Sequence, residues 1–288
     1  MVTPDPAAGG VSRRFVPELR RATAAGLRAA VTRAMPRAAA AGARGLLRRA
    51  GPAGLAAALL AYIGVALVAE PHAGRAGELA LGAVTWLVLV AAARPLTAPE
   101  RTRVAALVLV ATAGEVLGSI VLGLYAYRRG GIPAFVPPGH GIVYLAGLQL
   151  SRSRLVRDRP RSVVRAAVAA GTGWALLGLV LGPRPDVAGA LAMVAFLAFV
   201  VRGREPALFA CMLLVVALLE FHGTWMGTWQ WQPALPGLGL PMGNPPSGVA
   251  AGYCAFDALA IVLGPGLARL ATRLRARLVR PVVLPLPV

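Results

Sequence analysis

The sequence predicts an all-α fold: a polytopic transmembrane helical bundle of about eight spans, arranged as two parallel four-helix repeats. Three observations predict it. The 288-residue chain is 57% hydrophobic and only 14% charged, against about 25% charged in an ordinary soluble domain. Apolar runs long enough to cross a bilayer recur along it. Its two halves also repeat one another in order.

The spans read as 52–70, 77–94, 103–127, 138–151, 162–182, 186–202, 205–227 and 247–266. The fourth is short enough to be re-entrant. Before them, residues 1–50 form a basic segment carrying ten arginines. Phe15, Leu19, Leu27 and Val31 recur there at roughly helical spacing, as in a surface-lying helix, with a basic tail as the alternative. "SRRFVP" resembles a twin-arginine signal. The next apolar run begins too far downstream, so no export signal is expected. Repeats of four spans then occupy 51–152 and 153–268, and a basic tail fills 269–288.

Net charge is +19, and every basic residue is arginine. Such a balance can mark nucleic-acid binding. Here the arginines flank spans, where they meet anionic headgroups and set orientation, so no nucleic-acid partner is expected. With the N-terminus inside, only Arg75, Arg128, Arg129 and Arg184 face outward, and 26 of the 30 arginines lie inside. That places a multi-pass protein in the cytoplasmic membrane with both termini cytoplasmic. Arginine without lysine, amid abundant alanine, glycine and proline, fits a GC-rich bacterial genome. Oligomeric state has no signature in the sequence.

The repeat is clearest around the glutamates. "EVLGSIVLGLYAYRRGGIPAFVPPGHG" from Glu115 aligns with "EFHGTWMGTWQWQPALPGLGLPMGNPPSG" from Glu220. Glu115 matches Glu220, and Gly118-Ser119 matches Gly223-Thr224. Gly123-x-Tyr125-x-Tyr127 matches Gly227-x-Trp229-x-Trp231, and Pro137-Pro138 matches Pro245-Pro246. Four spans per repeat leave both halves in one orientation, with the symmetry axis along the membrane normal. On helices, Glu115 and Glu220 share faces with these small residues. If spans three and seven pack on those faces, the carboxylates meet in the interior.

A carboxylate inside a bilayer costs several kcal/mol and usually marks function. A structural hydrogen bond to Ser119 or Thr224 is the plain alternative. Two carboxyls held close do not both ionise cheaply. A neutral acid beside an anion suits proton donation and abstraction. Asp257 falls at the same middle to outer depth as the pair, and His222 is two residues beyond Glu220, so the candidate catalytic set is Glu115, Glu220, Asp257 and His222. Tyr125, Tyr127, Trp225, Trp229, Trp231 and His140 are the candidate substrate-binding residues. The tryptophans serve either as interfacial anchors or as a lining for a flat or cationic ligand. The proline-rich loops close over the site, and the longer second loop, "LPGLGLPMGNPPSG" (235–248), is the candidate lid.

No metal site is expected, because His140 and His222 lack the i, i+4 spacing of a two-histidine helix motif. Cys211 and Cys254 fall in spans at different depths, as unbridged core residues. No Walker loop, dinucleotide fingerprint or nucleophile elbow occurs, so no cofactor is expected. The partners are membrane lipids and a lipophilic small molecule.

The pattern E-x2-G-x4-G-x-Y-x-Y followed by P-x2-V-P, from Glu115 to Pro137, resembles membrane-embedded carotenoid biosynthesis proteins of the carotenoid hydratase type. It spans about thirty residues, and the second copy departs from it at Trp229 and Trp231. The resemblance implies acid-catalysed chemistry on a polyene or isoprenoid, with Glu115 as acid and aromatics stabilising a carbocation. Three functions follow from the residues: an intramembrane acid–base enzyme, of lyase or isomerase type, on an isoprenoid-like or other lipid; a proton-coupled transporter; or a non-catalytic membrane scaffold. The nearly bare inner halves of spans three and seven favour a site served from the membrane or the outside.

Overall fold

The structure, a computed structural model, describes residues 37–279, with side chains over 51–270 and 272–273. The surface helix expected near Phe15–Val31 and the last nine residues lie outside the described part. Two units are distinguished, Met1–Gly51 and Pro52–Val288. In the first, the described residues are helical.

The helices are α1 (Arg37–Ala69), α2 (Arg75–Ala93), α3 (Ala98–Glu115), α4 (Val136–Ser151), α5 (Pro160–Val180), α6 (Val187–Arg202), α7 (Pro206–Trp225) and α8 (Ala250–Val279). Single turns stand at Glu70–His72 and Arg154–Arg157. Helical geometry breaks in α1 at Gly51, φ 63, directly before Pro52, whose ring disfavours the α conformation in the residue preceding it. Proline also opens α5 and α7 at a first-turn position, where its missing N–H has no intrahelical acceptor to lose.

Among the described residues, six helices are long and apolar enough to cross a membrane: Gly51–His72, Arg75–Ala93, Ala98–Val121, Pro160–Val180, Pro206–Trp225 and Ala250–Leu270. The chain is a membrane protein built on these. Helices also stand at the two other expected places, α4 and α6, each with 16 residues. At 1.5 Å per residue that is about 24 Å, less than the ~30 Å hydrocarbon thickness.

α4 is the hub. It packs against α2, α3 and α7, and every residue from His140 to Gln149 is buried. A helix apolar on every side is surrounded either by lipid or by other elements, and here the neighbouring helices surround it. Gly141 admits Leu89 and Val108, and Gly147 admits Met212. α3 packs most extensively on α8, and α7 on α4 and α5. The faces left over carry Leu109, Val116, Leu117, Ile120 and Val121 on α3 and its extension, all exposed as lipid-facing residues are.

The third and seventh spans end earlier than their apolar runs suggest. After Glu115 the helix widens into a π turn, Val116–Val121. Leu122 N–H then donates to Leu117 O, and Leu124 N–H to Gly118 O. Gly123 follows at φ 61, and Gly227 follows α7 at φ 69. Only glycine takes that left-handed geometry at little cost, and each glycine turns the chain into a short strand. These strands, β1 (Tyr125–Tyr127) and β2 (Trp229–Trp231), pair antiparallel, with Ala126 opposite Gln230. The expected all-α fold therefore carries one small two-stranded ribbon.

Ion pairs secure the ribbon's flank. Arg129 lies 2.8 Å from Glu70 and 3.7 Å from Glu78, and Arg128 lies 3.6 Å from Glu70. At the other end of α3, Glu100 receives the Thr97 N–H at 2.8 Å, a capping interaction, and pairs with Arg152 after α4. Loop 232–249 is anchored by Asp186, whose carboxylate accepts the N–H groups of Gly189, Gly243 and Ser247.

Candidate functional site

The site is built under the ribbon. Alternate strand residues project to one face, so Tyr125 and Tyr127 point the same way, as do Trp229 and Trp231. The Tyr125 and Tyr127 hydroxyls both donate to Oε2 of Glu115, at 2.8 and 2.6 Å. The Trp229 and Trp231 Nε1–H groups both donate to Oε2 of Glu220, at 2.9 and 3.0 Å. Each glutamate is thus gripped by the two aromatics that follow it in the chain.

The remaining oxygens have partners from other helices. His140 Nε2, on α4, lies 2.8 Å from Oε1 of Glu115. The Tyr253 hydroxyl, on α8, donates to Oε1 of Glu220 at 3.2 Å. The His140 and Tyr253 rings are tilted by 32° with centroids 5.2 Å apart. The Tyr125 and Trp231 rings meet at 4.6 Å, tilted by 51°, and Tyr127 meets Trp229 edge-on at 6.3 Å.

The glycines beside the glutamates seat these rings. A Cβ on Gly223 would overlap the Trp229 ring, one on Gly118 would press on Tyr125, and one on Gly114 would overlap Phe256. The expectation that these small faces bring spans three and seven together is corrected: α3 packs on α8 and α7 on α4. The removed side-chain volume makes room for aromatic rings and not for a neighbouring backbone. The plain alternative, a carboxylate bonded to Ser119 or Thr224, is not what the geometry presents. Thr224 Oγ1 instead donates to the backbone carbonyl of Glu220.

Both glutamates line one cavity of about 210 Å³. Its walls are mostly apolar, from Ile63, Ala66, Leu67, Phe135, Val136, Ile142, Val143, Leu219, Val249 and Phe256. Its polar groups are the two carboxylates with their donors, and Tyr62 with Thr85. The buried carboxylates have charge-assisted partners, which offset the desolvation a charged group suffers in such a place. Burial, and then the neighbouring Glu115 carboxylate, raises the pKa of Tyr125 and Tyr127 above the ordinary phenol value, so both remain donors. Indole N–H can only donate, so Oε2 of Glu220 can only accept. Any proton exchanged at Glu220 passes through Oε1, the oxygen facing Tyr253.

Three expected site residues are not brought here. His222 bonds to Gly64 O at 3.2 Å, and it does not line the cavity. Two residues beyond Glu220 is about 200° around a helix, so its side chain leaves on the far side of α7. Trp225 is 82% exposed and does not line the cavity. Asp257 is buried, with Oδ2 lacking a hydrogen-bond partner, and it does not line the cavity. Both loops reach the wall: the first supplies Phe135, and the second supplies Val249 while docking on Asp186.

Sequence reasoning missed Tyr253, Phe256, Tyr62 and Thr85. Each is a single polar or aromatic residue in a span. The usable signal for Tyr253 was a hydroxyl within an apolar run. Cys211 and Cys254 are free and buried. Among the described residues, no group of three or more His, Cys, Asp or Glu is placed to hold a metal ion. No protein-family model, curated protein or solved structure matches the chain.

Proposed function

We propose that the chain is an intramembrane acid–base enzyme acting on an isoprenoid-like or other lipid substrate. The observation that carries this is the convergence of two glutamates and six aromatic or imidazole donors on one apolar cavity. Such donors hold carboxylates in fixed geometry without water, as acid–base catalysis requires. An olefin in the cavity takes a proton from one carboxyl group onto carbon. The cation formed is stabilised by the aromatic faces and by the other, anionic carboxylate. It then loses a different proton to that carboxylate, giving an isomer, or takes up water and releases a proton, giving an alcohol. The resemblance at Glu115–Pro137 to carotenoid hydratase-type proteins points to the same class of chemistry.

Two four-helix repeats and eight crossings with cytoplasmic termini remain part of this proposal. The strand register supports the repeat, because Ala126 pairs with Gln230, its own counterpart in the alignment. Tyr125 pairs with Trp231 and Tyr127 with Trp229, as a local twofold axis through that pair requires. Packing of α3 on α8 has its counterpart in α7 on α4. The same quasi-symmetry favours a second reading, a proton-coupled carrier. Membranes carrying Glu115→Gln or Glu220→Gln, incubated with isoprenoid lipid extracts and analysed by mass spectrometry, separate the two. The enzyme reading expects product from wild type and none from either variant. Product formed equally by the variants sinks it.

A further inference from the structure

We propose that Tyr62 and Thr85 form a second polar subsite in this cavity, one that accepts the O–H of a hydroxylated isoprenoid-type lipid. The inference rests on the enzyme reading and names its ligand more closely. Both residues line the cavity, from α1 and α2, whereas the glutamates belong to α3 and α7. Thr85 is 3% exposed.

Proton bookkeeping fixes what the subsite recognises. The Thr85 hydroxyl donates to Leu81 O at 2.7 Å. A hydroxyl has one hydrogen, so in the 2.7 Å contact between Tyr62 Oη and Thr85 Oγ1 the tyrosine donates. Its own hydrogen is then committed, and the oxygen keeps only acceptor capacity. An otherwise apolar wall therefore presents one acceptor with no partner of its own. It selects a ligand that brings a hydrogen, such as an alcohol, over one that brings only a lone pair, such as an ether. Acid chemistry at the glutamates interconverts an olefin plus water with an alcohol, C=C + H–O–H giving H–C–C–OH. A hydroxyl subsite in the same cavity fits the alcohol side of that equilibrium.

The test is binding of geranylgeraniol and of its methyl ether to the purified full-length protein, read by tryptophan quenching. One neutral hydrogen bond predicts a preference for the alcohol of about fivefold to tenfold in wild type. Tyr62→Phe keeps the ring and should bind both ligands alike, at the wild-type level for the ether. Thr85→Val frees the tyrosine proton and should raise affinity for the ether. An alcohol preference that persists in Tyr62→Phe overturns the proposal, as does no preference or no binding in wild type, or equal loss of both ligands in the variant. Glu115→Gln and Glu220→Gln should retain the preference. If they also retain turnover, the acid–base reading falls while the subsite stands.

Discussion

Gly223→Ala is the sharpest structural perturbation of the site. The added Cβ would overlap the Cζ2, Cζ3 and Cη2 atoms of Trp229, so the indole must move. Overpacking of this kind costs about 1–3 kcal/mol. Displacing the indole also loses its N–H bond to Glu220, now 2.9 Å, worth about 1.5–3 kcal/mol for an ionised acceptor. A total of about 3 kcal/mol or more lowers Tm by roughly 6–12 °C for a chain of this size. The assay is thermal unfolding in detergent, beside Gly173→Ala, where a Cβ meets nothing within 4 Å. Phenylalanine lacks the three overlapping atoms. In a Trp229→Phe background the alanine should therefore cost less than half as much, and a double-mutant cycle isolates that coupling. A Gly223→Ala protein as stable as the Gly173→Ala control would refute the reasoning, as would a cost unchanged in the Trp229→Phe background.

Asp186→Asn replaces one of two oxygens that accept backbone N–H groups with a donor; a loss of about 2 kcal/mol and faster proteolysis within 232–249 are expected. Arg129→Met removes the nearer cation from Glu70, which is 2% exposed, and should destabilise by about 2–3 kcal/mol, with Glu70→Gln/Arg129→Met recovering part of it. Trp225→Ala should leave turnover within about twofold of wild type, because that ring is on the surface, whereas Trp231→Phe, which removes a donor to Glu220, should lower it at least tenfold. Cys211 and Cys254 are buried, so maleimide should label neither in the native protein and both after denaturation.

Much of the fold is legible in the sequence because apolar run length is a direct physical requirement of a bilayer. Helices stand at all eight expected places. The run length did not reveal where Tyr125 and Tyr127 leave the third span, since that depends on the backbone at Gly123. The glutamates and the paired aromatics were legible because the motif occurs twice. Residues at i+3 and i+4 from Glu220, Gly223 and Thr224, share its side of the helix as expected. His222 at i+2 and Trp225 at i+5 do not, which helical geometry alone could have said. Asp257 was expected at the depth of the glutamates, but it lies one turn further along α8, on the same face as Tyr253, and Tyr253 is the residue that reaches Glu220. Tyr62 and Thr85 were illegible, because their pairing depends on how α1 lies against α2.

The central claim is that Glu115 and Glu220 move a proton to and from carbon within this cavity. It is tested most directly by incubating membranes with isoprenoid lipids in D2O and measuring deuterium at carbon by mass spectrometry. Wild-type membranes should place deuterium on carbon of an isoprenoid lipid well above membranes lacking the protein, and Glu115→Gln and Glu220→Gln should abolish the excess. Deuterium uptake in either variant equal to wild type, or none in wild type, would contradict the account.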